Sequence, residues 1–493
     1  MMQITAAKVG LLSILAISST RAAEVPDGAI FFPGEPSFGV NVHTTGNGKE
    51  LAAIGARWVR LDFSWAGIED VERGKYAFEG YDKTVEHYRS HGINVLGLLA
   101  WHYYCGKFYP EPKSDEDFAT AVQGFADFSR ACAEHFKGKV KVWELGNEPE
   151  CFPKGGVNNP ERYTKLARAA AKAIREADPD VVVGACSCAW MDRGFLSKCL
   201  EAGLLKDGAI NAVTFHGYHR ANLMPESGLA EDVGWLRNEI RKSAPPGKNV
   251  MVVDSERGYA QEAFLKPKHW ASWRNIVYTE SEQAAYLARH FLEEMFFGVE
   301  VSIWYKDMSG ESNFSLYEGG PGSRIRPMGY VMKNLALLFD LNPKQMVNDA
   351  YTVTLVDLPD DLSDPNVVVP VRSFLRRYAK DEKDKPRERL IIALWNPVEA
   401  FDGRILQSRQ RIGESYYEAW RAISPEDKVE LPVQVTIAGL TKDRVANSCV
   451  YNLLATEENK RDTAVKLEFG ENSATSETIK VGPTPTVIVV DLK

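Results

Sequence analysis

The chain has 493 residues, of which 44% are hydrophobic and 26% are charged, and its formal net charge is −8. These values are typical of a globular protein and exclude a disordered chain, a collagen-like repeat and a polytopic membrane protein. Because the charge is negative and no basic run occurs, the composition also argues against nucleic acid as a partner.

The first 22 residues have the pattern of an export signal. Lys8 precedes an apolar run from Val9 to Ile17, and small residues stand at Thr20 and Ala22. The run is too short for a membrane span, which takes about 20 apolar residues. The pattern predicts a signal peptide over residues 1–22 and a secreted or periplasmic protein with no membrane span.

The cysteines number seven, so at least one thiol has no partner within the chain. Their spacing fits no zinc ribbon, and export permits disulfides. Cys105 and Cys151 lie in predicted loops on the same face of the fold. They are therefore the candidate disulfide pair.

Residues 23–340 alternate short apolar or β-branched runs with longer helical patterns. The predicted strands are Phe38–Val42, Trp58–Leu61, Asn94–Leu99, Lys141–Leu145, Val181–Ala185, Ala212–Phe215, Val250–Val253 and Val301–Trp304. The predicted helices are Tyr81–Ser90, Asp115–Phe136, Pro160–Ala177, Asp232–Lys242 and Ser281–Phe297. Eight strands that alternate with helices in this way predict a (β/α)8 TIM barrel. A doubly wound open sheet is less favoured, because no glycine-rich turn follows the first strand.

The pattern changes after residue 341, where helical periodicity gives way to short strands separated by turn residues. The predicted strands are Tyr351–Leu358, Asn366–Val371, Arg389–Trp395, Val433–Ile437, Val450–Leu454, Ala464–Phe469 and Thr484–Leu492. This arrangement is typical of a β-sandwich. The sequence therefore predicts a barrel over residues 23–340 and an all-β domain over residues 341–493.

Two glutamates follow predicted barrel strands at the face where catalytic groups of such barrels lie. Glu148 follows the fourth strand and Glu256 follows the seventh. Strands four and seven lie across the barrel mouth, so we expect the two carboxyl groups to face each other. Cleavage of a glycosidic bond needs such a pair, one protonated to donate to the leaving oxygen and one ionised to attack or to activate water. Like-charge repulsion between them would raise the pKa of one carboxyl and separate the two roles.

Other strand ends carry residues that suit a carbohydrate cleft. Arg60 can hold a nucleophilic carboxylate ionised, Tyr218 can hydrogen-bond it, and Asn147 can bind a sugar hydroxyl. Aromatic faces stack on the C–H faces of sugar rings. The remaining candidates for substrate binding or support of the pair are Trp101, His102, His216 and Trp304. Barrel packing is an equal alternative for Trp101, and a structural role is an equal alternative for His102.

These residues resemble the motifs of the clan A retaining glycoside hydrolases, which share a (β/α)8 barrel. The run from Trp143 to Pro149 resembles the clan's Asn-Glu-Pro motif, and Arg60, His216-Gly217-Tyr218, Glu256 and Trp304 match its further positions in order. The resemblance implies that Glu148 is the acid/base and Glu256 the nucleophile. The chain looks most like family 39, the β-xylosidases and α-L-iduronidases, in which a β-sandwich follows the barrel. Glu144 fits the family 39 motif, whereas Gly146 stands where that family usually has Trp, and the cellulase-like family 5 is the second choice.

Several alternatives accompany this interpretation. Asp254 is a rival nucleophile, because it precedes Glu256 by two residues and would share its face of the strand. Glu144 is expected to support the site rather than to react, and Glu150 is expected to be a solvated loop charge. A metal is not expected, because metal-dependent barrel hydrolases usually need His-x-His on the first strand, where only His43 is present.

The sequence thus predicts an exported retaining glycosidase that cleaves β-linked oligo- or polysaccharides without a cofactor. A non-catalytic glycan-binding barrel is the first alternative function. A metal-dependent barrel hydrolase of amide or ester bonds is the second. The sugar, the linkage position, exo or endo action and the oligomeric state stay open, because they depend on loops and surfaces that the motifs do not define.

Overall fold

The computed structural model describes most of both predicted regions. The described residues are 38–43, 47–99, 101, 108–109, 111–151, 156–218, 225, 228–259, 280–307, 314–339, 346–348, 351–356, 369–378, 388–396, 430–456 and 462–493. The predicted signal peptide and His102 lie outside these residues. The predicted domain boundary at residues 340–341 also lies outside them and stays a prediction.

Eight parallel strands form a closed barrel in chain order, and the first strand pairs with the eighth. Their bounds are Phe38–Val42 (β1), Trp58–Asp62 (β2), Asn94–Leu99 (β3), Val140–Leu145 (β4), Val182–Cys188 (β5), Ala212–His216 (β6), Met251–Arg257 (β7) and Val301–Trp304 (β8). The predicted barrel is confirmed. The two strands β5 and β7 extend further toward their C-terminal ends than predicted, and each contains an irregularity there that shapes the site.

Helices surround the barrel, and local capping explains where several of them begin. Their bounds are Gly48–Ala53 (α1), Trp65–Ile68 (α2), Glu79–Ser90 (α3), Asp115–His135 (α4), Pro160–Ala177 (α5), Arg193–Glu201 (α6), Leu229–Ser243 (α7), Glu280–Phe296 (α8) and Pro327–Phe339 (α9). Ser114 and Asp117 form a reciprocal capping box at the start of α4, and Asn159 caps α5 just before Pro160. The prediction missed α6, although Asp192 caps its first turn. Among the described residues, no helix has the length and apolar character that crossing a membrane requires.

Alternation along the strands determines which side chains enter the barrel. The interior is filled by one apolar cluster, whose members are Trp58, Leu96, Val142, Val182, Ala212, Met251, Val253, Val301 and Ile303. Arg60 and Glu144 each lie two residues beyond a member of this cluster on the same strand, and His216 lies four residues beyond Ala212. Because successive side chains in a strand point to opposite faces, all three point inward near the C-terminal mouth.

Two antiparallel sheets follow the barrel. One has the order β10-β13-β17-β16, with β18 paired to β13, and the other has the order β15-β14-β19-β12-β11-β9. Their bounds are Met346–Asn348 (β9), Val353–Val356 (β10), Val371–Arg377 (β11), Glu388–Leu394 (β12), Leu431–Ala438 (β13), Val445–Tyr451 (β14), Asp462–Ala464 (β15), Leu467–Phe469 (β16), Ser473–Ser476 (β17), Ile479–Val481 (β18) and Thr486–Leu492 (β19). Both sheets contribute to one apolar core, for example through Leu390 and Val435. The predicted sandwich fold is confirmed.

The sandwich packs directly on barrel helices. The ring of Phe374 contacts those of Phe296 and Phe339, with centroids 5.9 and 5.2 Å apart. Arg289 of α8 is buried and donates to the backbone carbonyls of Pro483 and Asn396 at 2.8 and 2.7 Å. Helix α8 is therefore held between the barrel on one side and the sandwich on the other.

We expect the substitution Arg289→Ala to lower the free energy of unfolding by about 2–4 kcal/mol, because it leaves two carbonyls without this donor and each buried unpaired group costs about 1–3 kcal/mol. Urea unfolding followed by tryptophan fluorescence measures the change. The control is Arg168→Ala, whose partner Asp207 is exposed and whose expected cost is below about 1 kcal/mol. Equal losses in the two variants would contradict this role of Arg289.

Candidate active site

Arg60 is the central side chain of the barrel mouth. It is 3% exposed, and each of its five N–H groups has an acceptor at hydrogen-bond distance. The acceptors are Glu144 Oε2 at 2.6 Å, Asn41 Oδ1 at 3.3 Å, Glu256 Oε2 at 2.9 Å, Asn147 Oδ1 at 2.7 Å and Ser187 Oγ at 3.3 Å. One guanidinium therefore fixes side chains from strands on opposite sides of the barrel.

Glu256 reaches the mouth because β7 contains a β-bulge. The pairing of β6 with β7 runs from Phe215 opposite Asp254 directly to His216 opposite Glu256, so Ser255 has no opposite residue. One extra residue reverses the alternation of faces. Val253 points into the barrel and Glu256 does so as well, whereas Asp254 points outward to helix α8. The expectation that Asp254 shares the face of Glu256 is therefore wrong.

Both carboxylate oxygens of Glu256 accept hydrogen bonds. Arg60 donates to Oε2 at 2.9 Å, and the hydroxyl of Tyr218 donates to Oε1 at 3.0 Å. The side chain is 16% exposed, so one part of it is open to the cleft. Burial raises the pKa of the Tyr218 hydroxyl well above its ordinary value, and the charge of Glu256 raises it further. Tyr218 therefore keeps its proton and serves as a donor.

Glu148 lies at the start of a tight turn after β4. Its φ is +47°, a left-handed conformation that is uncommon for residues other than glycine. Its N–H donates to the carbonyl of Ser187 at 2.9 Å, and its own carbonyl accepts from the N–H of Cys151 at 3.0 Å. These bonds hold the strained backbone and direct the side chain, which is 23% exposed, toward His216.

His216 lies between the two glutamates. Its Nδ1 is 2.9 Å from Glu148 Oε1, and its Nε2 is 2.9 Å from Ser187 Oγ. One carboxylate oxygen of Glu148, one of Glu256 and one ring nitrogen of His216 all lie within 4.8 Å of one another. The two strands therefore bring both glutamates to the same small space, as expected from the sequence.

The charges of this group affect one another. The net shift in the pKa of Glu256 is upward, because burial and the charge of Glu148 raise it more than His216, Arg60 and the Tyr218 hydrogen bond lower it. Burial lowers the pKa of His216, but the two carboxylates outweigh that effect and the net shift is upward. A cation on Arg60 and a titratable ring on His216 thus offset two carboxylates that would otherwise repel each other.

The remaining predicted site residues differ in whether they lie at the barrel mouth or in the core. Asn147 is at the mouth, and because Arg60 occupies its Oδ1, its Nδ2 is the donor left for a ligand. Trp101 is 2% exposed and packs on Trp65 and Phe125 in the outer core. Trp101 therefore takes the barrel-packing alternative. Trp304 is fully buried and packs on α8, so the expectation that it offers a stacking face in the cleft is wrong.

Tyr305 is the aromatic residue that sequence reasoning missed. It follows Trp304 directly, is half-buried, and its ring lies 5.9 Å from that of His43 at the end of β1. Because Val301 and Ile303 point into the barrel, alternation puts residue 305 on the inward face and residue 304 on the outward face. The alternation of β8 was thus the signal that could have found it.

Glu144 and Glu150, the glutamates on either side of Glu148 in the sequence, lie in different environments. Glu144 is fully buried against Arg60 and supports it, in line with the expected supporting role. Glu150 was expected to be solvated, which is wrong, since its Oε2 is buried and it is half-buried overall. Burial is the main cause that raises the pKa of Glu150 to about 7, and the charge of Glu148 contributes to this rise.

The expected disulfide between Cys105 and Cys151 stays a prediction. The Cys151 thiol is free and exposed in the structure. Its expected partner, Cys105, lies outside the described residues.

Two groups in the described part of the chain have donor atoms close enough to hold a metal ion: Glu148 with His216 and Glu256, and Asp254 with His290 and Glu294. In the first group, Arg60 and Tyr218 already donate to both oxygens of Glu256. A bound cation would have to compete with the guanidinium at that carboxylate, so these residues fit proton chemistry better than metal binding.

Comparisons with known proteins agree with this geometry. Residues 31–263 match the model of the family described as cellulase (glycosyl hydrolase family 5). The matched segment contains Arg60, Glu148, His216 and Glu256.

Similar solved structures combine the same fold with low sequence identity. A family 39 glycoside hydrolase from the gut symbiont Bacteroides cellulosilyticus WH2 has a TM-score of 0.61 and 17% identity, with 93% of this chain and 81% of that chain covered. AbfB, a family 51 α-L-arabinofuranosidase from Bifidobacterium longum, has a TM-score of 0.56 and 12% identity, with 94% and 98% covered. A glucosidase from Croceicoccus marinus has a TM-score of 0.55 and 12% identity, with 94% and 97% covered.

At these identities the structural likeness concerns the fold, and the likeness to family 39 is of this kind. The family model matches a little less than half of the chain, and the expected resemblance to clan A glycoside hydrolases is confirmed. The chain is therefore a glycoside hydrolase with a closed eight-stranded barrel, and its residues 31–263 resemble the cellulase family.

Proposed function

We propose that the protein is an exported retaining glycosidase that cleaves β-linked glycans, with Glu256 as nucleophile and Glu148 as acid/base. The single observation that carries the proposal is the approach of Glu148, Glu256 and His216 within 4.8 Å at the barrel mouth. Retaining glycosidases have their two carboxyl groups about 5–5.5 Å apart, whereas inverting ones need roughly 6.5–9.5 Å to admit a water molecule. One oxygen of each carboxyl group lies within 4.8 Å of one oxygen of the other, and this close approach favours retention.

The neighbours of the two glutamates support different roles for them. Arg60 and Tyr218 donate to Glu256, which favours its ionised form and suits a nucleophile. Glu148 faces His216, a group that can accept or return a proton near neutral pH. The carboxyl beside the arginine attacks, and the carboxyl beside the imidazole transfers protons.

The reaction proceeds in two balanced steps. First, a carboxylate oxygen of Glu256 attacks the anomeric carbon, the bond to the leaving oxygen breaks, and Glu148 gives its proton to that oxygen. The sugar is then an ester of Glu256. In the second step Glu148 removes a proton from water, the hydroxyl oxygen bonds to the anomeric carbon, and the ester bond breaks to restore the Glu256 carboxylate.

Residues around the pair can orient the sugar. Asn147 offers its Nδ2 beside Glu148, and the half-buried ring of Tyr305 lies at the end of β8. Asp62, which ends β2, and His43 offer further polar groups at the mouth. These groups suit a ligand rich in hydroxyls with one apolar ring face.

We expect the substitution Glu256→Ala to abolish nearly all turnover of an aryl β-glycoside, and added azide to restore part of it, because azide can attack the anomeric carbon in the space left by the carboxylate. The screen uses aryl β-glycosides of xylose, glucose, galactose, mannose and fucose, and product stereochemistry is followed by NMR. The restored product should be the α-glycosyl azide, whereas the wild-type protein should release the β-anomer first.

The companion variant Glu148→Ala separates the two roles. It should keep the first step on substrates whose leaving group needs no proton and accumulate the ester of Glu256. Unchanged turnover in Glu256→Ala, or first release of the α-anomer by the wild-type protein, would contradict the proposal. Tight glycan binding without product would instead favour a non-catalytic binding protein, and activity lost to a chelator would favour a metal-dependent hydrolase.

We expect Tyr218→Phe to shift the acid limb of kcat/KM to higher pH. The Tyr218 hydrogen bond lowers the pKa of Glu256, so its loss raises that pKa and leaves less of the ionised nucleophile at a given acidic pH. A hydrogen bond to a charged group contributes about 1.5–3 kcal/mol, so kcat/KM should fall about 10- to 100-fold. The control is Tyr317→Phe, which loses a hydrogen bond to the carbonyl of Glu50 away from the two glutamates. A pH profile in Tyr218→Phe that matches the wild-type profile would show that this bond does not tune the nucleophile.

A further inference from the structure

A buried group of side chains lies directly behind Glu256, on the outer side of the barrel wall. Its members are Asp254 of β7 with His290 and Glu294 of α8, and each is at most 1% exposed. His290 Nε2 is 3.1 Å from Asp254 Oδ2 and 3.2 Å from Glu294 Oε2. The reaction proposed above uses none of these side chains, yet Asp254 is only two residues from the nucleophile.

At the β-bulge around Ser255, the side chain of Asp254 accepts hydrogen bonds from backbone amides. The N–H of Glu256 lies where the register shifts, and Asp254 Oδ1 accepts it at 3.2 Å. The same oxygen accepts the N–H of Gly217 at 3.0 Å, and this N–H also donates to the carbonyl of Glu256 at 3.1 Å. Buried amides without an acceptor are costly, so by accepting the N–H of Glu256 this carboxylate stabilises the bulge that turns Glu256 inward.

Gly217 connects this oxygen to the other side of the site. It lies between His216, which contacts Glu148, and Tyr218, which donates to Glu256. A Cβ at residue 217 would lie 2.1 Å from Asp254 Oδ2, far inside contact distance. The absence of a side chain at residue 217 is therefore required for the carboxylate to reach both amides.

The second oxygen of Asp254, Oδ2, contacts His290 of helix α8. Burial disfavours the charged form of Asp254, but His290 outweighs it and keeps the pKa of that carboxyl low. Burial lowers the pKa of His290, whereas Glu294 and Asp254 raise it to a net upward shift. Burial raises the pKa of Glu294 to about 8, and Ser302 of β8 donates to that residue. Asp254 and His290 thus lie at ion-pair distance, and each favours the charged form of the other.

We propose that Asp254 is a positioning residue, whose one oxygen ties the backbone of Glu256 to that of Gly217 and so holds the nucleophile, Tyr218 and His216 at their working distances. The proposal rests on the proposed function, because it concerns the placement of the proposed nucleophile. Asp254 touches no substrate and acts only through the two amides. His290 orients it from the helix that also contacts the sandwich.

The experiment compares Asp254→Ala, Asp254→Asn and Gly217→Ala on the aryl glycoside that the wild-type protein cleaves. A misplacement of about 1 Å can cost about 100-fold in rate, so Asp254→Ala should lower kcat about 100-fold while KM changes less than about threefold. Asp254→Asn keeps an oxygen that can accept both amides, so its kcat should stay within about tenfold of the wild-type value. Gly217→Ala changes no charge and displaces the carboxylate, so its kcat should fall as in Asp254→Ala.

A matched control is the residue that precedes β8 and contacts the opposite end of β7. Glu300 is a buried carboxylate whose Oε2 accepts the N–H of Val252 in β7 at 2.8 Å and pairs with Arg237 at 3.2 Å. Glu300→Ala should lower Tm at least as much as Asp254→Ala and leave kcat within about twofold. Equal kcat losses in Glu300→Ala and Asp254→Ala would reduce Asp254 to a stabilising residue and overturn the proposal.

A further outcome concerns the charge. If Asp254→Asn loses as much kcat as Asp254→Ala, the acceptor role is wrong. If Asp254→Ala does not fold, the comparison of kcat in Gly217→Ala with kcat in Glu300→Ala still tests the proposal. A wild-type kcat in Gly217→Ala would then overturn it. Failure of the proposed function would be seen separately, as unchanged turnover in Glu256→Ala.

Discussion

The arrangement of the barrel mouth depends on one buried guanidinium. Arg60 joins Glu144 on β4 to Glu256 on β7 and also donates to Asn147, the residue before Glu148. Removing one partner of a buried ion pair typically costs about 3–5 kcal/mol, because the other charge is left without compensation. Two carboxylates could not share this space without such a cation. Arg60 therefore sets both the electrostatic balance of the site and the distance between its two sides.

Backbone irregularities then give the side chains their directions. The bulge in β7 turns Glu256 inward. In β5 the register shifts between Cys186 and Cys188, and this shift positions the carbonyl of Ser187 to accept the N–H of Glu148. Bulges are common near active sites because they redirect one side chain without changing the rest of a strand. Here each of the two glutamates depends on one such irregularity.

The sequence was most informative where a local pattern has a single structural meaning. The eight strands, helix α5 with its Asn159 cap and the approach of Glu148 to Glu256 follow from periodicity, capping residues and barrel order. The errors arose where tertiary context decides. The opposite directions of Asp254 and Glu256 could not be read from the sequence, because a bulge is a property of the pairing between two strands. The burial of Trp304 follows from the alternation of β8, in which Val301 and Ile303 point inward, whereas the motif match predicts an inward tryptophan one residue away from the inward position. The environment of Glu150 depends on a turn whose fold the sequence does not specify.

The most direct test of the central claim is to trap the covalent intermediate. The protein is incubated with the 2-deoxy-2-fluoro analogue of the aryl glycoside that it cleaves, since the electron-withdrawing fluorine slows loss of the sugar from the nucleophile, and the labelled peptide is sequenced by mass spectrometry. The account predicts one sugar per chain, attached to Glu256. A sugar attached to Asp254 or Glu148, or full turnover of the natural glycoside with no trapped ester, would contradict it.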